Sequence, residues 1–251
     1  MGHYMFNLLR VLEQFLRFIG CLLLALQYGR LLPRQMISQL HIAGVSSLVL
    51  ICISALFIGL VFAFQMYIVL EGFGSLPQLS QVVAFGLFRE LSPVVTGLLV
   101  AGRVGSTLAA ELGQMKQAEQ IDSLLMWGIN SYAYLMWPRL LALLIVTPIL
   151  VLAFDAISIY AAWFYAVTLH GMESQIFWTP LVFGSIYFEV DVLYGMYKAV
   201  FFGGWIGVMS LYQGAFVERG SSGIAKASTQ AVVLSSAGVL MLDYVLSQFL
   251  Y

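Results

Sequence analysis

The sequence predicts an all-α integral membrane protein, in which one interfacial amphipathic helix precedes five transmembrane helices within a single membrane domain, residues 1–251. Three observations point to this fold class. One long segment carries no charged side chain, only 9% of all residues are charged, and the connections that contain Lys or Arg alternate with connections that contain neither. Together these features predict a chain that crosses the bilayer five times.

The first span is the clearest. Residues 43–70 form a run of 28 without a charge, which exceeds the ~20 apolar residues that cross a hydrocarbon core. The run is also longer than the ~7–15-residue core of a signal peptide. Hydrophobic residues make up 61% of the chain and the mean hydropathy is +0.94, whereas soluble domains carry about 25% charged residues. The net charge of −1 argues against nucleic acid as a partner.

Four further segments are apolar enough to span, although each contains or borders charged residues. They are residues 82–105, 140–167, 190–216 and 231–250. The apolar run 176–190 is too short to cross and contains Pro180 and Gly184. It is predicted to be interfacial or re-entrant.

The basic residues predict the orientation. Connections rich in Lys and Arg face the cytoplasm. The basic residues outside or at the ends of the spans are Arg10, Arg17, Arg30, Arg34, Arg103, Lys116, Arg139, Arg219 and Lys226. They precede the first span or belong to the second-to-third and fourth-to-fifth connections, while residues 71–81 and 168–189 contain neither Lys nor Arg. The N-terminus is therefore predicted inside and the C-terminus outside.

The N-terminal segment, residues 4–30, differs from the spans. Arg10, Glu13, Gln14 and Arg17 recur at helical spacing and form one polar stripe on an otherwise apolar helix. Such a helix favours the membrane interface. The alternative, a sixth span, would disturb the alternation of basic connections.

Six charged residues fall inside predicted spans: Arg89, Glu90, Asp155, Asp191, Lys198 and Asp243. Charges in such positions usually face the interior of a helix bundle or a wet cavity. Lys198 is the candidate partner of Glu90, and Asp191 or Asp243 the candidate partner of Arg89. The charges are predicted to be interhelical pairs, with a proton or ion relay as the alternative. A further alternative places Asp155 and Asp243 near the outer interface.

The connection between the second and third spans is helix-prone and charged. It holds Arg103, Glu111, Lys116, Glu119 and Asp122, and Gly113 permits a bend. From these residues alone, it is either a docking helix for a cytoplasmic protein or a solvated amphipathic loop.

The run FRELSPVVTGLLVAGRVGSTLAAELGQMKQAEQID, residues 88–122, resembles the signature of the MlaE/YrbE permease family. Members of that family are membrane subunits of ABC systems that move phospholipids between the membranes of Gram-negative bacteria and maintain outer-membrane lipid asymmetry. The loop SSGIAKAST, residues 221–229, is also similar to the family's form. The similarity extends over nearly the whole chain.

The resemblance implies an inner-membrane homodimer on a cytoplasmic ABC ATPase, with a periplasmic ring of MCE-domain proteins and a possible STAS-domain partner. Residues 106–127 would contain the coupling helix. The residues implied in ATPase coupling are Arg103, Glu111, Met115, Lys116, Glu119 and Asp122. The positions implied in an outward-open phospholipid cavity are Phe62, Val69, Leu70, Phe73, Glu90 and Leu91.

The chain itself is not predicted to be an enzyme. The phosphate-binding pattern G-x-x-x-x-G-K-[ST] does not occur in it, so ATP and Mg²⁺ are expected on a separate ATPase. His3, His41 and His170 are scattered, and Cys21 and Cys52 have no metal-ligand spacing. No cofactor or metal is therefore predicted. The alternative functions are a stand-alone ion-coupled secondary transporter or channel, and a purely structural membrane anchor.

Overall fold

The computed structural model describes residues 2–28, 33–183 and 188–250, and within these ranges it contains helices and no strand. The α-helices are α1 Gly2–Tyr28, α2 Pro33–Gly72, α3 Leu79–Gly86, α4 Ser92–Val100, α5 Ser106–Gln117, α6 Gln120–Met126, α7 Trp137–Trp163, α8 Ser174–Phe183, α9 Phe188–Ala215 and α10 Ser221–Leu250. A 3₁₀ turn precedes α3 at Leu76–Gln78. Wider π-helical turns occur at Leu87–Leu91, Ala101–Gly105, Tyr132–Met136 and Phe164–Leu169.

Among the described residues, five helical segments are long and apolar enough to cross a bilayer, which confirms the predicted five-span, all-α class. They are Gln35–Gly72, Leu76–Gln117, Tyr132–Leu169, Val190–Ala215 and Ser221–Leu250. The second segment has 42 residues and is therefore about 60 Å long at the helical rise per residue. A hydrocarbon core is only ~30 Å thick. The helix of the second span thus continues through α5, which belongs to the predicted cytoplasmic connection.

Among the described residues, three clusters of buried side chains hold the helices together. The central cluster joins α2, α4, α7, α9 and α10 through residues such as Ile51, Phe154 and Phe202. A second, here called the Phe88 cluster, joins α2, α3, α7 and α8. A third, the Tyr212 cluster, joins α1, α5, α7 and α9. Close approach requires glycine at one point in particular, because a Cβ on Gly59 would collide with the backbone of Ser158.

Helix α1 packs beside the spans and presents three faces. One face is buried in the Tyr212 cluster through Phe18 and Leu22, and Trp137 Nε1 donates a hydrogen bond to Leu22 O at 2.6 Å. The exposed polar residues are Arg10, Glu13, Gln14 and Arg17, and the exposed apolar ones include Leu12, Leu16 and Leu23. One exposed polar face, one exposed apolar face and one packed face are the pattern expected of an interfacial helix, and the location of α1 at the membrane interface stays a prediction. Residues 29 and 30 of the predicted segment lie outside the described residues.

Candidate functional site

The π-helical turn Leu87–Leu91 in the second span carries the first two intramembrane charges, Arg89 and Glu90. Such turns are frequent at functional sites. Pro93 follows it and has no N–H to donate to the carbonyl of Arg89, the bond that a regular α-helix would make. That carbonyl instead accepts a hydrogen bond from Lys198 Nζ at 2.8 Å. The local sequence therefore opens an acceptor toward α9.

Lys198 is the centre of a network between three spans. Its side chain is 0% exposed, and its ammonium group lies 2.8 Å from Glu90 Oε2 and 3.0 Å from Asp243 Oδ1. It also donates to the hydroxyl of Ser247 at 2.8 Å. The second, fourth and fifth spans are thereby joined through one buried cation.

Ser247 completes this network and was not among the residues predicted from the sequence. Its hydroxyl donates to Asp243 O at 2.8 Å and lies 3.2 Å from Glu90 Oε1. Ser247 follows Asp243 by four residues, so the two share one face of α10. That spacing was the available signal. A lone serine in an apolar helix gives no other.

A second ion pair joins the second and fourth spans. Arg89 Nε donates to Asp191 Oδ1 at 2.7 Å, and Arg89 Nη2 lies 2.6 Å from the same oxygen. The guanidinium group lies 4.0 Å from the centre of the Phe85 ring, a distance at which a cation and an aromatic face attract. Two of the candidate pairs, Lys198 with Glu90 and Arg89 with Asp191, are thus in contact, while Asp243 pairs with Lys198 rather than with Arg89.

Asp155 differs from the other intramembrane charges. It is 4% exposed, and neither carboxylate oxygen has a hydrogen-bond partner among the described residues. Ser158 nearby donates to the backbone carbonyl of Asp155 rather than to the carboxylate. Asp155 is therefore enclosed by the helices, whereas Asp243 contacts Lys198 and keeps 19% of its side chain exposed.

The predicted lipid-cavity positions divide into two groups. Phe62, Leu70 and Leu91 pack against the Phe88 cluster, and a Cβ on Gly86 would come within 2.7 Å of the Phe62 ring. Val69 and Phe73 are exposed near the end of α2. The side chain of Glu90 is 42% exposed although its carboxylate contacts Lys198. A single chain therefore leaves part of Glu90 uncovered at a position within the second span.

The connection between the second and third spans forms a fixed corner. Helix α5 ends at Gln117, and Glu119 adopts the left-handed conformation, with φ 56° and ψ 16°, before α6 begins. Lys116 Nζ joins the two helices by lying 2.9 Å from Asp122 Oδ1. Gln117 Nε2 donates to Gly220 O at 2.7 Å, which attaches the corner to the connection between α9 and α10.

The predicted coupling residues point in two directions. Glu119 and Asp122 are exposed at the corner. Glu111 and Met115 face the buried Arg139. Its Nη2 lies 3.6 Å from Glu111 Oε2 and 3.8 Å from Met115 Sδ. Arg103 is exposed and lines a cavity together with Glu111. The six residues therefore do not form one surface in this chain.

Sequence reasoning missed an exposed apolar patch at the same corner. Leu125, Met126 and Trp127 follow the charged residues, and Met126 and Trp127 are 80% and 78% exposed. Methionine and aromatic residues are enriched in protein–protein interfaces. The signal was the apolar run Leu124–Trp127, one residue after Asp122, in a connection predicted to be cytoplasmic.

Comparison with known proteins agrees with the resemblance found in residues 88–122. The family model described as Permease MlaE matches residues 36–249. A permease protein of Haemophilus influenzae, named for an intermembrane phospholipid transport system, is 40% identical over 216 residues, which cover 86% of this chain and 82% of that protein. A probable ABC transporter permease of Rickettsia bellii is 36% identical with the same coverage. The chloroplastic protein TRIGALACTOSYLDIACYLGLYCEROL 1 of Arabidopsis thaliana is 31% identical over 92% of this chain and 66% of its own length.

Proposed function

This chain belongs to the MlaE permease family, and we propose that it is the membrane subunit of an ABC-type transporter that moves phospholipids between the inner and outer membranes of a Gram-negative bacterium. In this role it maintains the lipid asymmetry of the outer membrane, while a separate subunit hydrolyses ATP. The observation that carries the proposal is the match over residues 36–249, together with a 40% identical relative that is named as an intermembrane phospholipid transport permease.

The exposed part of Glu90 supports a homodimer. A carboxylate that faced lipid within a span would be strongly unfavourable, and 42% of the Glu90 side chain is uncovered in one chain. Helix α10, which carries Asp243 and Ser247 beside Glu90, also exposes Met241, Tyr244 and Phe249. We infer that a second copy covers this side, and that the first, second and fifth spans of both copies enclose the lipid cavity.

The corner between α5 and α6 supports a cytoplasmic ATPase as partner. Its ion pair and its attachment to the α9–α10 connection make it able to transmit a displacement to the second, fourth and fifth spans. The exposed residues Met126 and Trp127 supply apolar contact area beside the exposed charges of Glu119 and Asp122. The distribution of basic connections predicts this corner and the N-terminus inside and the C-terminus in the periplasm, where MCE-domain proteins would contact the permease. A STAS-domain protein would accompany the ATPase.

The test is affinity purification of the tagged chain from native membranes in mild detergent, with mass spectrometry of proteins and lipids. We expect an ABC ATPase, an MCE-domain protein and bound phospholipid. Recovery of the chain alone, under conditions that preserve a known membrane complex, would contradict the proposal.

Variants of the corner test the docking surface. Asp122→Lys and Trp127→Ala should each reduce recovery of the ATPase at least several-fold, because one reverses a charge and the other removes an aromatic contact. Lys226→Gln is the matched control, because it removes an exposed charge in the α9–α10 region, where Lys226 pairs with Glu218 at 2.7 Å. Equal recovery from all three variants would remove the corner from the interface.

One observation favours the alternative of an ion-coupled secondary transporter. Asp155 is a buried carboxylate without a hydrogen-bond partner among the described residues, and such groups occur in proton relays. Lipid transfer by the chain alone in proteoliposomes under a proton gradient would support this alternative. Transfer only with the ATPase and ATP, and unchanged in Asp155→Asn, would exclude it.

A further inference from the structure

A cavity of about 180 Å³, lined by both charged and apolar residues, lies between α2, α5 and α7, apart from the network around Lys198. Its charged lining residues are Arg103, Glu111 and Arg139, and its other lining residues include Gln39, Ile42 and Leu143. Pockets for drug-sized ligands measure ~300–1,000 Å³. The cavity therefore has room for a small group rather than for a whole lipid molecule.

Arg139 is the buried cation of this cavity. It is 5% exposed, yet the contacts of its guanidinium nitrogens with hydrogen-bond acceptors are long. Nη1 donates to Leu135 O at 3.3 Å, and Nη2 lies 3.8 Å from Met115 Sδ and 3.6 Å from Glu111 Oε2. Nε has no hydrogen-bond partner among the described residues. Buried charges are normally both paired and hydrogen-bonded, so this guanidinium lacks the acceptors that its burial requires.

The second arginine makes the cavity cationic. Arg103 lies in the π-helical turn Ala101–Gly105 and also lines the cavity. Two guanidinium groups against one carboxylate leave a net positive charge. Arginine is the residue best suited to bind phosphate, since its planar set of donors matches the phosphate oxygens.

We propose that this cavity binds a phosphate group between Arg139 and Arg103. Glu111 competes for the same cations and so weakens the binding. One wall of the cavity is Ile42, which is exposed on α2. This opening favours the headgroup phosphate of a lipid that enters from the bilayer. Inorganic phosphate is the other source. This site is separate from the proposed transport cavity. It lies at the same end of the spans as the α5–α6 corner.

The test uses the full-length chain purified in detergent and isothermal titration calorimetry with three soluble probes. They are dihexanoyl phosphatidic acid, inorganic phosphate, and dihexanoylglycerol, which has the same acyl chains without the phosphate. We expect phosphatidic acid to bind and dihexanoylglycerol not to bind. Binding of inorganic phosphate with equal affinity would assign the site to free phosphate, whereas weaker or absent binding would assign it to the lipid headgroup.

The variants give effects of opposite sign. Arg103→Gln and Arg139→Gln should weaken binding of the phosphate-bearing probe about tenfold or more, because each removes charge-assisted hydrogen bonds. Glu111→Gln should strengthen it several-fold, which loss of structure would not do. Lys226→Gln, an exposed cation outside the cavity, should leave it unchanged.

Arg103 is exposed, so Arg103→Gln remains a test even where Arg139→Gln fails to fold. Wild-type affinity in both Arg103→Gln and Glu111→Gln, or equal binding of dihexanoylglycerol, would overturn the proposal. Because the titration contains no ATPase, its outcome is independent of the co-purification that tests the transporter assignment.

Discussion

Two buried cations in this protein have opposite surroundings. Lys198, in the fourth span, has four acceptors within 3.0 Å that come from the second and fifth spans. Arg139, near the start of α7, is almost as deeply buried but has only long contacts and one donor atom without a partner among the described residues. The first site is electrostatically complete within one chain, and the second is not. We therefore expect Lys198 to hold helices together and Arg139 to be available to a ligand.

The largest expected effect is at the complete site. Lys198→Met would leave Glu90 and Asp243 facing each other without a cation, and removal of one partner from a buried pair typically destabilises a protein by about 3–5 kcal/mol. We expect a large loss of thermal stability of the detergent-purified chain, or loss of folded protein.

A compensated variant distinguishes charge from packing at this site. The triple variant Lys198→Met, Glu90→Gln, Asp243→Asn removes the uncompensated charges, and it should recover most of the stability that Lys198→Met loses. If the triple variant is no more stable than Lys198→Met, packing of the lysine side chain, rather than its charge, holds the spans together.

A smaller effect is expected at the edge of the same network. Ser247→Ala removes one hydroxyl that contacts Lys198, Glu90 and the carbonyl of Asp243. A typical buried hydrogen bond contributes about 1 kcal/mol, so stability should fall by about that amount. Ser236→Ala is the matched control, because it makes the same substitution in α10 about three helical turns before Ser247, outside the network. Equal melting temperatures for the two variants would remove Ser247 from the network.

The smallest effect is expected at the incomplete site. In phosphate-free detergent, Arg139→Met should change stability by less than about 1 kcal/mol in either direction, because burying an underpaired charge is itself unfavourable and the Glu111 side chain that is left behind is 38% exposed. A loss as large as that of Lys198→Met would show that Arg139 is a structural cation, and the comparison between the two sites would fail. Phosphatidic acid should stabilise the wild-type chain against heat and leave Arg139→Met unaffected.

The α5–α6 corner offers an independent test of backbone strain. Glu119 is the one described non-glycine residue with a positive φ. This left-handed conformation costs residues other than glycine about 1–2 kcal/mol. Glu119→Gly should therefore stabilise the chain by up to about 1 kcal/mol, whereas Glu119→Gln should not, and thermal unfolding of the two variants compares them. Destabilisation by glycine would show that contacts of the Glu119 side chain outweigh the strain.

Much of the candidate site was within reach of the sequence. Arg89, Glu90, Asp191, Lys198 and Asp243 are conspicuous because charges are rare in apolar spans, and two of the pairings follow from opposite signs on neighbouring helices. Ser247 was not predictable in this way, since a serine is neutral and common in membrane helices. The orientation of the termini and the coupling role of the corner remain predictions.

The Arg139 cavity could not be predicted for a different reason. Arg139 appeared in the sequence only as one of several basic residues of a cytoplasmic connection, and Glu111 as a residue of a docking helix. Their contact joins residues 28 positions apart, and it arises because the second span continues through α5 and brings Glu111 beside the start of α7. No local pattern encodes the length of that continuation past the bilayer.

The amino-acid sequence by itself determined the class of this protein, the number of spans and the family. These depend on the length of apolar runs, on the placement of charges and on a long local motif, all of which are properties of contiguous residues. Only the tertiary structure decided which buried charges are satisfied and which are not. That distinction depends on distances between atoms of different helices. Lys198 lies 2.8 Å from Glu90, within hydrogen-bond distance, whereas Arg139 lies 3.6 Å from Glu111, beyond it.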